Sequence, residues 1–245
     1  MSSSPGPEPV SPGGGRRRRP AWFWISLGTI LGLIAGGLVV VVGVVGGSHS
    51  SGSIASVQQV GGPSQTNSRY PGATVIPASE PKPALTLTDT EGQPYNLQAQ
   101  TQGRVTLVYF GYTHCPNLCP INMALAAKAI GLLPSSDRDR ITMVFITTDP
   151  DRDTGPVIRA WLDHFDPSFV GLRGTITQIH QAETAVGMPL SYVEGASTGD
   201  YQIEHAGYVL AYSQNDIADL EFSDSTSPSD YATSLKHLVS YGYRT

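Results

Sequence analysis

Cysteine is nearly absent from this chain: its 245 residues include two. Two thiols exclude a disulfide-rich scaffold and any four-cysteine zinc or iron–sulfur site, and leave one Cys pair as the only thiol chemistry available. Charge is scarce as well. Charged residues make up 14% of the chain, and none occurs between Arg19 and Arg69. Residues 1–79 carry five Lys/Arg and one Glu (+4), whereas residues 80–245 carry ten Lys/Arg and nineteen Asp/Glu (−9). A domain at −9 with no basic stripe lacks the clustered cations that phosphate affinity requires, so nucleic acid is excluded as a partner. The first 79 residues also hold 15 of the 27 glycines and 8 of the 19 prolines. Outside one apolar run, that mix cannot bury enough surface to offset its backbone entropy. The foldable part is about residues 80–245.

The apolar run extends from Trp22 to Val45, directly after Arg16-Arg17-Arg18-Arg19. Its 24 residues, as a helix of about 36 Å, exceed the ~30 Å hydrocarbon core and can span it with some tilt. A cleaved secretory signal is the alternative, but it needs a shorter apolar region and a small-residue cleavage site. No cysteine stands just after the run, which excludes a lipoprotein anchor. Four arginines on the N-terminal flank place that end in the cytoplasm, with Trp22 and Trp24 suited to the interface. The expected layout is a basic cytoplasmic segment (1–20), a single transmembrane helix (21–46), a flexible Gly/Ser/Pro tether without structure (47–80) and an extracytoplasmic domain (81–245). His49, in the tether, reads as a solvated side chain.

Within the domain, Ala84–Thr88 and Tyr95–Leu97 flank the turn-rich Asp89–Pro94 and signal a hairpin. Arg104–Phe110 and Ile141–Thr147 are continuous apolar, β-branched runs that read as buried strands. Pro120–Ile130 is Ala/Leu-rich with helical spacing, with Pro at the first helical position, and ends at Gly131. A second helix is expected over Pro156–Phe165. Thr175-Ile-Thr-Gln178 is a capping-box signature for a third, running to about Val186. His205–Tyr212 and Ile217–Phe222 read as another hairpin, and Ser227 caps a last helix to about Tyr241. Strands alternating with helices, with hairpins at both ends, predict a three-layer α/β domain with a mixed sheet.

Cys115 and Cys119 fall between the first buried strand and the first helix. Backbone N–H groups and the positive end of the helix dipole stabilise a thiolate there, so at least one sulfur is expected to have a lowered pKa. Positions four apart on a helix hold their Cβ atoms ~5–6 Å apart, whereas a relaxed disulfide wants about 3.8 Å, so a bridge would be labile. The same separation leaves room for an ion between two thiolates, a soft site that favours Cu(I). A structural disulfide would close almost no loop and stabilise little. Structural zinc needs four ligands, and two cysteines with one or two histidines leave it incomplete.

The segment Val108-Tyr-Phe-Gly-Tyr-Thr-His-Cys-Pro-Asn-Leu-Cys-Pro120 closely resembles the signature of the Sco (SenC) proteins, membrane-anchored thioredoxin-fold proteins that bind copper and assist assembly of the copper centre of cytochrome c oxidase. Ile146-Thr-Thr-Asp-Pro-Asp-Arg-Asp-Thr154 resembles the family's acidic segment. Phe165–Thr175 resembles its next strand and helix start. Glu204-His205-Ala206, 86 residues beyond Cys119, resembles the position of its copper-binding histidine. The likeness covers about residues 84–242. It implies a thioredoxin-like fold, copper as Cu(I) or Cu(II) held by Cys115, Cys119 and His205, and the copper-binding subunit of cytochrome c oxidase as partner, with a copper donor protein upstream. Asn117 departs from the pattern, since many members have Asp there, and Gly155 separates Thr154 from Pro156 where the family commonly has Thr-Pro adjacent. Both departures bear on partner choice rather than on the ligands.

The remaining candidates have plainer readings. His114 is expected on the surface. His164, His180 and His237 are expected on amphipathic helices, and Met123 as core filler. Asp149, Asp151 and Asp153 could gather a hard cation, but Arg152 among them favours a solvated or salt-bridged loop. Two functions stay open. One is a carrier that passes copper on by ligand exchange; the other is a thiol–disulfide reductase, with Cys115 and Cys119 catalytic, that keeps a target's copper-ligating cysteines reduced. A peroxidase-like thiol enzyme is a more distant option.

Overall fold

A computed structural model of the chain describes residues 68–77, 80–195 and 201–243. The basic segment, the span expected over 21–46, His49 and most of the tether lie outside the described residues. Among the described residues no helix is long and apolar enough to cross a membrane.

The strands are β1 (Ala73–Val75), β2 (Thr86–Asp89), β3 (Pro94–Asn96), β4 (Val105–Gly111), β5 (Ile141–Thr147), β6 (Val170–Arg173), β7 (Tyr192–Glu194), β8 (Gln202–Glu204), β9 (Tyr208–Tyr212) and β10 (Ala218–Ser223). The helices are α1 (Leu97–Gln100), α2 (Leu118–Gly131), α3 (Ser135–Arg138), α4 (Gly155–Leu162), α5 (Ile176–Ala185) and α6 (Pro228–Tyr241). Eight strands form one sheet in the order β1-β10-β9-β4-β5-β6-β2-β3, and β7 and β8 pair separately. β4, β5 and β6 run parallel, with Val105 opposite Ile141 through to Gly111 opposite Thr147; the other pairings are antiparallel. This is the expected mixed sheet.

β4 is buried along its whole length, as a central strand covered on both faces must be. Its odd-numbered residues Leu107 and Tyr109 pack with Met123, Ala126, Ile158, Leu162, Leu235 and Leu238, on the side of α2, α4 and α6. Its even-numbered residues Val108 and Phe110 pack with Leu97, Ile179, Ala182 and Val186, on the side of α1 and α5. The period-two alternation of one strand therefore serves two cores, and the three expected layers follow. Thr175 caps α5 through the anticipated capping box, and Ser227 caps α6 through the N–H of Asp230.

Three expectations are corrected. The tether does not run unstructured to residue 80. Tyr70 is wholly buried, and β1 pairs with β10, Ala73 opposite Phe222. The strand expected over His205–Tyr212 is broken: β8 ends at Glu204, β9 begins at Tyr208, and His205–Gly207 link them outside any ladder. Helix α2 begins at Leu118 rather than Pro120, which places Cys119 in its first turn. Pro at the third position is tolerated because the first four N–H groups of a helix have no intrahelical acceptor.

Candidate metal centre

The carboxyl end of β4 is where both ligand-bearing segments converge. Leaving Gly111, the chain turns through Tyr112–Asn117 into α2, which sets Cys115 in the turn and Cys119 at the helix start. β9 runs antiparallel to β4, with Val108 opposite Leu210. The residues preceding β9 therefore stand over the same end of β4, and His205 is among them.

The donor atoms of Cys115, Cys119 and His205 all lie within 4.8 Å of one another. Cys119 Sγ is 3.4 Å from His205 Nε2. His205 Nδ1 is 3.0 Å from the Ala206 carbonyl. A carbonyl only accepts, so Nδ1 carries a proton and Nε2 is the ring nitrogen turned toward the sulfurs. The rings of Tyr109 and Tyr112 each meet the imidazole edge-on, with centroids 5.8 Å away at 88°. Cys119 is fully buried, whereas Cys115 and His205 are half-buried. The cluster thus has a closed floor and an open rim, and Leu118 and Ile121, near Cys119 in the sequence of α2, are exposed.

The two thiols are free and differ in character. Cys115 Sγ is held by the Cys119 thiol above all, then by His205, and by the N–H groups of Cys119 and Asn117, which together outweigh burial and bring its pKa down to about 3. The Cys119 N–H lies 3.4 Å from this sulfur. The sulfur therefore occupies the place of a helix-capping acceptor, and Asn117 makes no side-chain cap. Cys119 moves the other way: burial pushes its thiol up, and the neighbouring Cys115 thiolate adds to the shift. Unligated, the pair is one thiolate and one thiol.

A soft monovalent ion suits two sulfurs and one imidazole, whereas zinc in a structural site wants a fourth ligand. The three sequence-expected ligands are thus brought together, and the donor set fits copper. Met123 is wholly buried in the core, as read from the sequence. His114 is exposed, with Nδ1 3.1 Å from Thr113 Oγ1. His164 falls just beyond α4 rather than on a helix.

The acidic loop is salt-bridged, with Asp151 exposed and its two neighbouring carboxylates buried. Asp149 is buried and pairs with Arg152. Asp153 is fully buried and accepts from the Thr113 N–H at 3.0 Å, from Thr113 Oγ1 at 2.5 Å and from Thr147 Oγ1 at 2.6 Å. His114, Asp149 and Asp153 do approach one another, but their carboxylates are committed to these donors. Asp153 instead ties the cysteine-bearing turn to the end of β5. Asn122 performs a similar task on the helix side, its Nδ2 lying 3.0 Å from Leu118 O and 3.3 Å from Gly207 O. Sequence reasoning missed Asn122, Tyr109 and Tyr112 in these roles, although both tyrosines belong to the motif that carries the cysteines.

A model of the SCO1/SenC family matches residues 76–240, two thirds of the chain, and that range contains Cys115, Cys119 and His205. The chain belongs to the SCO1/SenC family. This Sco domain is 33% identical over 134 residues to a putative copper-binding protein of Stutzerimonas stutzeri, covering 54% of this chain and 64% of that one, just under two thirds of the relative's length. Its fold is thioredoxin-like and matches Bradyrhizobium japonicum ScoI, solved with copper bound, at a TM-score of 0.58 and 27% identity, over 64% of this chain and 98% of that one. BsSco, described as a member of the Sco family of cytochrome c oxidase assembly proteins and as containing a disulfide switch, shares the fold at a TM-score of 0.55 and 16% identity, over 67% of this chain and 96% of that one.

Proposed function

We propose that this protein is a membrane-anchored, extracytoplasmic copper carrier that delivers copper to the copper-binding subunit of cytochrome c oxidase. The observation that carries the reading is the three-donor cluster, with the Cys119 sulfur 3.4 Å from His205 Nε2 and Cys115 on the exposed side. Copper binding and oxidase assembly are the role of the Sco family. A three-coordinate site with an open rim lets an incoming soft ligand join before an outgoing one leaves, so the ion can pass by ligand exchange without being released to water. The tetra-arginine flank and the apolar run after it support the anchor and the side of the membrane.

The test is copper stoichiometry on the reduced chain. One tightly held copper per chain is expected, lost in Cys119→Ser, where a hard hydroxyl replaces a thiolate. Tight one-to-one binding retained in that variant overturns the site. A C-terminal reporter active only in the cytoplasm should stay silent, and activity would overturn the topology.

A second reading, a thiol–disulfide reductase, is supported by the asymmetry of the pair. Cys115 is a half-exposed thiolate and Cys119 a buried thiol, the arrangement of an attacking and a resolving sulfur. In that reaction the Cys115 sulfur attacks a target disulfide and releases one target thiolate. Cys119 then displaces the second, leaving the Cys115–Cys119 pair oxidised.

A further inference from the structure

Arg152 is not among the three donor residues, and a guanidinium offers no lone pair to a metal. Read alone, its pairing with Asp149 three residues back is an ordinary local salt bridge. Its surroundings are not ordinary. The Asp149 side chain is 3% exposed and that of Arg152 22%. The guanidinium carbon lies 3.6 Å from the centroid of the Tyr201 ring and 5.8 Å from that of Tyr112. Tyr201 is fixed a second time, its hydroxyl donating to Asp149 Oδ1 at 2.7 Å. Asp149 is in turn placed by its own N–H, which donates to Thr147 Oγ1 at 2.9 Å. A rigid strand end therefore holds a carboxylate, the carboxylate holds Arg152 and Tyr201, and Arg152 covers the ring of Tyr201.

Both aromatic partners lead to His205. Tyr201 immediately precedes β8, and His205 immediately follows it. Tyr112 accepts the Ile203 N–H of β8 at 3.3 Å and presents its ring edge-on to the imidazole. The segment carrying His205 lies outside the large sheet, so ladder hydrogen bonds do not position it there. The thiolates need no such help: Cys119 sits in a helix turn against Gly111, and Asp153 and Asn122 tie down the cysteine turn and α2.

We propose that Arg152 is a positioning residue for His205: stacked on Tyr201, facing Tyr112 and neutralised by Asp149, it clamps β8 so that the imidazole is held over the two sulfurs. The planar face is what the role needs. Lysine would keep the charge and the pairing with Asp149 but could not stack on the ring. Because the clamp acts on the nitrogen ligand alone, its loss falls on Cu(II), which draws on that nitrogen, more than on Cu(I), which two thiolates hold. The placement of His205 follows from geometry; the consequence for copper rests on the function proposed above.

The test uses the full-length chain in two parts. In metal-free, reduced protein, amide hydrogen exchange over residues 201–207 is followed by mass spectrometry in wild type, Arg152→Ala and Arg152→Lys. A partly desolvated cation–ring contact, between the exposed and the fully desolvated values, corresponds to about a tenfold effect. Arg152→Ala should therefore speed exchange of this segment by about that factor and leave β4 and α2 unchanged, with Arg152→Lys recovering less than half of the loss. Cu(II) and Cu(I) affinities are then measured by chelator competition. Arg152→Ala should weaken Cu(II) about tenfold and Cu(I) less than about threefold. Unchanged exchange over 201–207 overturns the proposal, as does loss of protection throughout β4 and α2, which would make Arg152 a general fold residue. Equal loss of both copper affinities overturns it too. Faster exchange confined to 201–207 in a chain whose wild type binds no copper would uphold the clamp and sink the copper function instead.

Discussion

A Cβ on Gly111 would stand 2.9 Å from the sulfur of Cys119 and 2.8 Å from Cε1 of Tyr109. The last residue of β4 has to be glycine because the Cys119 sulfur fills the space of its side chain. Gly111→Ala is expected to cost about 1–3 kcal/mol of stability through overpacking, read from the urea midpoint. It should also displace Cys119 and weaken copper binding more than it weakens the fold. Wild-type copper affinity in this variant would show that the sulfur moves freely.

His205 can ligate copper but contributes no sulfur to disulfide exchange. His205→Ala should therefore lower copper affinity strongly while leaving most of the reduction of a model disulfide intact, whereas each cysteine variant should remove both. In cells lacking the native protein, His205→Ala should fail to restore oxidase assembly. Restoration equal to wild type would make reduction the essential role.

The pKa of Cys115 predicts a pH profile. With the folded value at about 3 and the ordinary thiol near 8.5, alkylation of metal-free protein by iodoacetamide should stay nearly flat from pH 8 down to pH 5, where an ordinary thiol has become unreactive. Cys119 should remain unmodified. The sign for stability follows: a folded-state pKa below the unfolded one stabilises the reduced fold above the unfolded value, and this contribution fades as pH falls toward about 3. Alkylation of Cys115 that drops steeply below pH 8 would contradict the assignment.

Tyr70 is part of the folded domain, ahead of the boundary expected at residue 81. It is wholly buried, stacks on Tyr243 at 5.3 Å and meets His237 edge-on at 6.2 Å. Tyr70→Ala should cost about 3–5 kcal/mol, and a fragment starting at residue 80 should melt well below one starting at residue 68. Equal melting temperatures would show that the N-terminal strand adds nothing.

The sequence makes some of this plain and hides the rest for physical reasons. β4 and β5 are legible because burial on both faces demands unbroken apolar runs. Cys115 and Cys119 are legible because few residue types at a helix start carry their chemistry. β1 is not, because Ala73-Thr74-Val75 is too short to show a pattern and its stability is nonlocal, coming from Phe222 and from Tyr70 under α6. The break at His205–Gly207 is hidden too: apolar alternation resumes at Tyr208 and makes 205–212 look continuous, yet leaving the ladder is what frees the imidazole to turn toward the sulfurs. β7, exposed at every residue, has no periodicity to read. The roles of Arg152 and Asp153 depend on contacts with Tyr201 and Thr113, which lie 49 and 40 residues away along the chain.

Among the described residues the large sheet ends on one side in β1 and on the other in β3, each three residues long, and β3 opens with Pro94, which has no N–H to give. Unpaired backbone at a sheet edge is the usual template for one protein copy to zip onto another, and here each template is barely a single turn of the pleat. Concentrated solutions of this domain should therefore remain free of edge-to-edge polymers, so that encounters between copies or with other proteins are decided by side chains rather than by open backbone.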